Sequence, residues 1–302
     1  MRNANIRNLA QLHFVIFIFG FTSTLGELIS IDSTSLVWYR MLIASIFLGI
    51  YSLTLKKNEL KLDRNLFFRL LLAGFLITLH WITFFEAIKL VGISITLSML
   101  SSAALFTALL EPIFYKRKFL FYKLFLGAIA IAGIFLIYDT SPESWFGILI
   151  AIIAAFLAAL FTLINGKLII YKPPDIITFY EMLTGTFCIS IYLVFTEGFN
   201  NDFFRLNNKD ILWLIILGSV CTAYAINVAT AVMKTISPFS VMLTVNLEPI
   251  YGIILAFLIF GESQLMDTNF YIGLSIIVLS VLSNSIYKSY KLKPKNKPSS
   301  PL

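Results

Sequence analysis

A handful of ionisable and amide side chains lie deep inside long apolar runs, and they are where chemistry is to be sought. Glu248 stands about halfway along the run 236–260, with Asn246 two residues before it. Ser240, Thr244 and Tyr251 fall near it at helical spacing, which predicts one polar stripe. Pro249 cannot donate to the carbonyl of Val245, so a free acceptor is expected beside the carboxylate. A carboxylate in that position could carry a proton or balance a substrate amine, or it could bond a neighbouring helix and only fix packing. His80, in the middle of the run 66–90, could relay protons or bond a substrate, or be a satisfied core histidine. Trp81 beside it reads as packing or as a cavity wall. An ionised group at a bilayer centre costs roughly 2.5–3.5 kcal/mol on insertion scales, so such a group faces a cavity or a partner.

Two further pairs match under an offset of 141 residues: Tyr39-Arg40 falls on Tyr180-Glu181. Glu181 lies about 8 Å inside its helix end at the usual rise per residue. Each pair reads either as a gate that engages the opposite half of the chain or as side chains snorkelling to the interface. Glu27 is a candidate partner for Arg40. Glu111 and Glu86 sit near helix ends and read as interfacial. Catalytic and cofactor signatures are lacking: there is no GxSxG, P-loop or HExxH, and only 2 His and 2 Cys, with no CxxC pair. No catalytic residue, metal ligand or cofactor is expected, and the chain reads as a non-enzyme. Without a Walker A sequence, an ion gradient or the substrate's own gradient has to drive any transport.

The elements that hold these residues are membrane helices. Of 302 residues, 59% are hydrophobic and 13% charged, about half the charged content of a soluble domain. Apolar runs of bilayer length are expected at 9–29, 34–55, 66–90, 93–115, 119–138, 145–166, 176–196, 211–233, 236–260 and 269–288. The first run lacks an A-x-A-like cleavage site and reads as a span, not a removed signal. With a cytoplasmic N-terminus, 19 of the 23 Lys and Arg fall on the cytoplasmic side, leaving Lys89, Arg205 and Lys209 opposite and Arg40 within a span. That bias predicts ten spans with both termini in the cytoplasm, and it explains the net charge of +7 without nucleic acid. The expected location is the inner membrane, with residues 289–302 a disordered basic cytoplasmic tail.

The fold class expected is all-α integral membrane, ten helices arranged as two inverted five-helix repeats, 1–138 and 145–288. An offset of 145 places Ser101 on Asn246, Ala103 on Glu248 and Arg117 on Glu262; an offset of 146 places Gly127 on Gly273. Five spans per unit is odd, so the second unit enters the membrane in the opposite sense, an arrangement common among secondary transporters. The chain resembles the drug/metabolite transporter superfamily, specifically the EamA-type ten-helix proteins. The resemblance runs over 9–288. It rests on Pro238, Leu247-Glu248-Pro249 and Phe260-Gly261-Glu262, on Trp38-Tyr39-Arg40, and on His80-Trp81-Ile82-Thr83-Phe84-Phe85 leading to Ala87-Ile88-Lys89. The first repeat departs from the pattern: Ala104 stands opposite Pro249, and Lys116-Arg117 replaces a Gly-Glu closure. The resemblance implies export or exchange of a small metabolite, such as an amino acid, in a membrane-embedded monomer or homodimer. The alternatives are an enzyme acting on lipid-linked groups, disfavoured by the short loops, and a channel or scaffold.

Overall fold

The computed structural model describes residues 2–116, 118, 125–126, 129, 132–133, 136, 145–261 and 267–291. Most of the expected span 119–138, together with Arg117, Gly127, Glu262 and residues 292–302, lies outside the described residues.

Several helices begin where the sequence supplies a cap. Helix α1 is Arg2–Leu28 and α2 is Ser33–Leu55, the latter capped by Asp32, which accepts from Thr34 N at 2.9 Å and Ser35 N at 3.0 Å. Helix α3 is Arg64–Leu100, capped by Asp63. It contains the expected span 66–90 and the start of 93–115, joined at Gly92, whose φ of 77° and ψ of 171° interrupt the helix. Beyond Ser101-Ser102 comes α4, Ala103–Phe114. In the second half α5 is Trp145–Leu168 and α6 is Pro174–Phe195, opened by proline at a position that needs no N–H donor. Helix α7, Asn208–Gly218, passes into a π-helical segment, Ser219–Tyr224, and then α8, Ala225–Val232. Helix α9, Pro238–Val245, stops at Asn246-Leu247, and α10 resumes as Glu248–Phe260. Helix α11, Thr268–Lys291, runs into the stretch read as tail.

Among the described residues there is no strand, and the helices account for nine of the ten expected spans; the fifth is the one largely outside them. The polarity is that of a protein dissolved in lipid. Phe195 is 85% exposed and Leu55 71%, while Ser23, Thr24, Ser94 and Thr96 are fully buried. Hydroxyls inside bond back to their own helix, as Ser98 does to the Ser94 carbonyl at 2.8 Å. Small residues let the helices close up: a Cβ on Gly20 of α1 would lie 2.8 Å from the Tyr251 Cβ and 3.0 Å from the Gly252 nitrogen of α10.

The two halves break at the same place. The interruption at Ser101-Ser102 in the first half and the one at Asn246-Leu247 in the second coincide under the offset of 145 residues seen in the sequence. The polar stripe expected on a continuous helix is therefore divided between α9 and α10.

Candidate functional site

A cavity of about 90 Å³ lies between the halves, walled by α1, α2 and α3 on one side and by α5, α8, α9 and the first residue of α10 on the other. Arg40, His80 and Trp81 reach it from the first half, and Asn165, Thr230 and Glu248 from the second. Apart from Thr22 and Thr162, the rest of the wall is apolar, with Phe19, Phe84 and Phe161 prominent.

Arg40 is 1% exposed and heads the fully buried side chains by size. Its Nε donates to Thr222 Oγ1 at 2.6 Å and its Nη2 to the Cys221 carbonyl at 3.4 Å. Its guanidinium lies 3.7 Å from the centre of the Trp81 ring, a stacked cation–π contact that is strengthened by desolvation. Nη1 has no hydrogen-bond partner among the described residues. Both acceptors belong to the π segment. There Thr222 Oγ1 donates to the Leu217 carbonyl, five residues back, at 2.7 Å, while accepting from Arg40. The wide turn is what presents a hydroxyl and a carbonyl side by side. Arg40 therefore does not snorkel, and it does not reach Glu27, which is exposed.

Glu248 opens α10 directly after the break, where the helix dipole favours a carboxylate. Glu248 and Arg40 line the same cavity from opposite halves without a direct ion pair, so each keeps a face for a third group. The equivalent half-helix α4 begins with Ala103 and carries no charge there.

His80 places Nδ1 2.8 Å from the Ala154 carbonyl. A carbonyl only accepts, so the proton is assigned to Nδ1 and Nε2 is left as an acceptor. Phe84 stacks on the ring at 6.0 Å and Phe161 tilts against it at 5.4 Å.

The remaining candidates lie off the cavity. Glu181 is fully buried beside the Asn165 amide. Thr244 bonds the Ser240 carbonyl at 2.8 Å, and Tyr251 meets Phe17 edge-on at 5.7 Å. Asn246, at the break, is buried with Nδ2 unpartnered. The two tyrosines occupy opposite ends. Tyr39, in the first half, donates to the Phe203 carbonyl of the second at 3.0 Å; Tyr180, in the second half, donates to the Leu60 carbonyl of the first at 2.7 Å. This is a reciprocal exchange, as expected of units related by a two-fold axis. Further cross-half ties accompany each. Ser30 is held by Asp210 at 3.0 Å and 2.6 Å at the Tyr39 end. Lys56–Asp175 at 2.7 Å and Lys172–Glu59 at 3.4 Å join the Tyr180 end.

Thr22, Thr162, Asn165, Thr222 and Thr230 were not singled out in the sequence. Their one signal there is a hydroxyl or amide within an apolar run.

A multi-helix membrane protein whose two inverted halves both send charged and polar side chains into a cavity between them has the architecture of a transporter. The chain belongs to the EamA-like transporter family, whose sequence pattern matches residues 11–139 and 145–286. It is 24% identical over 245 residues to the uncharacterized transporter YxxF of Bacillus subtilis (strain 168), covering 79% of this chain and 77% of that one. A crystal structure shares the fold with a TM-score of 0.67 at 12% identity, over 93% of this chain and 97% of the other.

Proposed function

We propose that this transporter moves a small organic metabolite, such as an amino acid, out of the cell or in exchange for another, by alternating access. The observation that carries the reading is the pairing of Arg40 and Glu248 from opposite halves across one cavity without a direct ion pair. A zwitterion would complete both: its carboxylate on the free Nη1 of Arg40, its ammonium on Glu248, its apolar part among Phe19, Phe84 and Phe161. His80 Nε2 offers a further acceptor. The cavity holds about 90 Å³, roughly three water volumes, whereas ligand pockets run to about 300 Å³ and more. Loading therefore requires one end to open, and the tyrosine ties are the gates. Glu181, buried beside the wall residue Asn165, is placed on this pathway as a gate residue.

Untargeted mass spectrometry of the medium tests this, comparing cells that carry wild type with cells that carry Glu248→Gln at equal membrane levels. A metabolite enriched outside with wild type alone is the expected result. Identical media at equal levels would remove Glu248 from the path. The proposed inner-membrane orientation, with both termini cytoplasmic, predicts that terminal fusions to a reporter active only in the periplasm stay silent. Activity at either end would overturn it.

A further inference from the structure

At the Tyr180 end, the basic residues divide into two kinds. Lys56 and Lys172 are paired with carboxylates across the halves. Arg69 of α3 and Lys167 of α5 have no carboxylate partner among the described residues, although both are long cations beside the same groove. That groove has a volume of about 290 Å³ and is lined by Arg69, Leu72, Phe114, Ile164, Lys167 and Leu168. The two cations are placed by neutral neighbours. Arg69 Nε donates to Asn65 Oδ1 at 3.2 Å, and its guanidinium lies 5.8 Å from the centre of the Tyr171 ring. The Lys167 ammonium lies 5.3 Å over Phe114 and 5.6 Å over Tyr115. Everything else in the groove is apolar, and Leu72, half exposed, continues it onto the outer wall of the bundle.

We infer that this groove is a binding site for an anionic phospholipid, with the phosphodiester between Arg69 and Lys167 and the start of an acyl chain along Leu72, Ile164 and Phe114. Two cations without a carboxylate partner among the described residues, above an apolar floor, match a group that is anionic at one end and hydrocarbon at the other. Basic pockets between membrane helices at the interface bind such headgroups. A soluble phosphate would meet the cations and leave the floor empty. The site is separate from the cavity and stands whether or not the transport reading holds.

The test uses the full chain in a neutral detergent, with bound lipid counted by native mass spectrometry and melting temperature followed in parallel. The probes are phosphatidylglycerol, phosphatidylcholine of the same acyl chains, and inorganic phosphate. Phosphatidylglycerol should bind stoichiometrically and raise the melting temperature, with the other two inert. The double variant Arg69→Gln/Lys167→Gln should bind it at least tenfold more weakly while melting as wild type without lipid. Leu72→Trp, which fills the floor but keeps both charges, should also lose it, whereas Arg69→Lys/Lys167→Arg should retain it. Equal binding of phosphatidylcholine, an undiminished preference in the double variant, or stabilisation by phosphate alone would each overturn the assignment.

Discussion

Arg40 concentrates the energetics of the site in one side chain. A guanidinium can bond Thr222 and Cys221 in its plane while its face rests on Trp81, which an ammonium cannot do. Arg40→Lys should therefore insert normally yet lower transport at least tenfold. Wild-type rates in that variant would make Arg40 a structural cation only. Thr222→Val deletes the acceptor of the shorter bond and should destabilise the fold by about 2 kcal/mol. Thermal melting of the purified protein reads this, and an unchanged midpoint would mean that the Thr222 bond contributes nothing. The sequence shows that Arg40 lies within a span, but not its partners, because Thr222 is 182 residues away and nothing local connects them. Glu27, the nearer candidate in sequence, is exposed. His80 and Glu248 stand out in sequence because the type of residue conflicts with the run around it. Asn165 and Thr230 conflict less and pass unnoticed.

At the level of elements, turns and breaks do the positioning. Gly92 holds a φ of 77° with open space where a Cβ would be. Gly92→Ala therefore costs only backbone strain, about 1–3 kcal/mol. A lowered melting midpoint with the helix content intact is expected; an unchanged midpoint would mean the turn tolerates another geometry. The boundary near residues 91–92 and the matching of Ser101 with Asn246 were legible in the sequence, since apolar length and offset both mark them. The breaks themselves were not, because a hydrophobic run reads the same whether its helix is continuous or stepped. The π segment leaves no mark in composition either. Its extra residue turns the downstream helix by about 100° relative to an uninterrupted one. That is what brings Ile226, Ala229 and Thr230 of α8 round to the cavity.

Across the whole molecule, both ends are tied at once, and the tie at each end can be cut separately. Loss of one tyrosine hydroxyl removes about 1 kcal/mol, roughly a fivefold change in an opening equilibrium. With Cys188 and Cys221 replaced by Ala and a single cysteine at Thr162, Tyr39→Phe should raise labelling by an impermeant thiol reagent from the Phe203 side. Tyr180→Phe should raise it from the Leu60 side. Equal or absent responses would mean the ties are not gates. The two halves share breaks, offsets and tyrosines, but not their charges. Arg40 stands opposite Glu181, and Ala103 opposite Glu248. Turning the molecule over thus reproduces its shape while reversing or deleting its electrostatics. Such a device is mechanically even-handed and electrically lopsided. If it works by the alternating access proposed above, its two open states would differ in energy even when empty, and the empty transporter would rest with a preference for one side of the membrane.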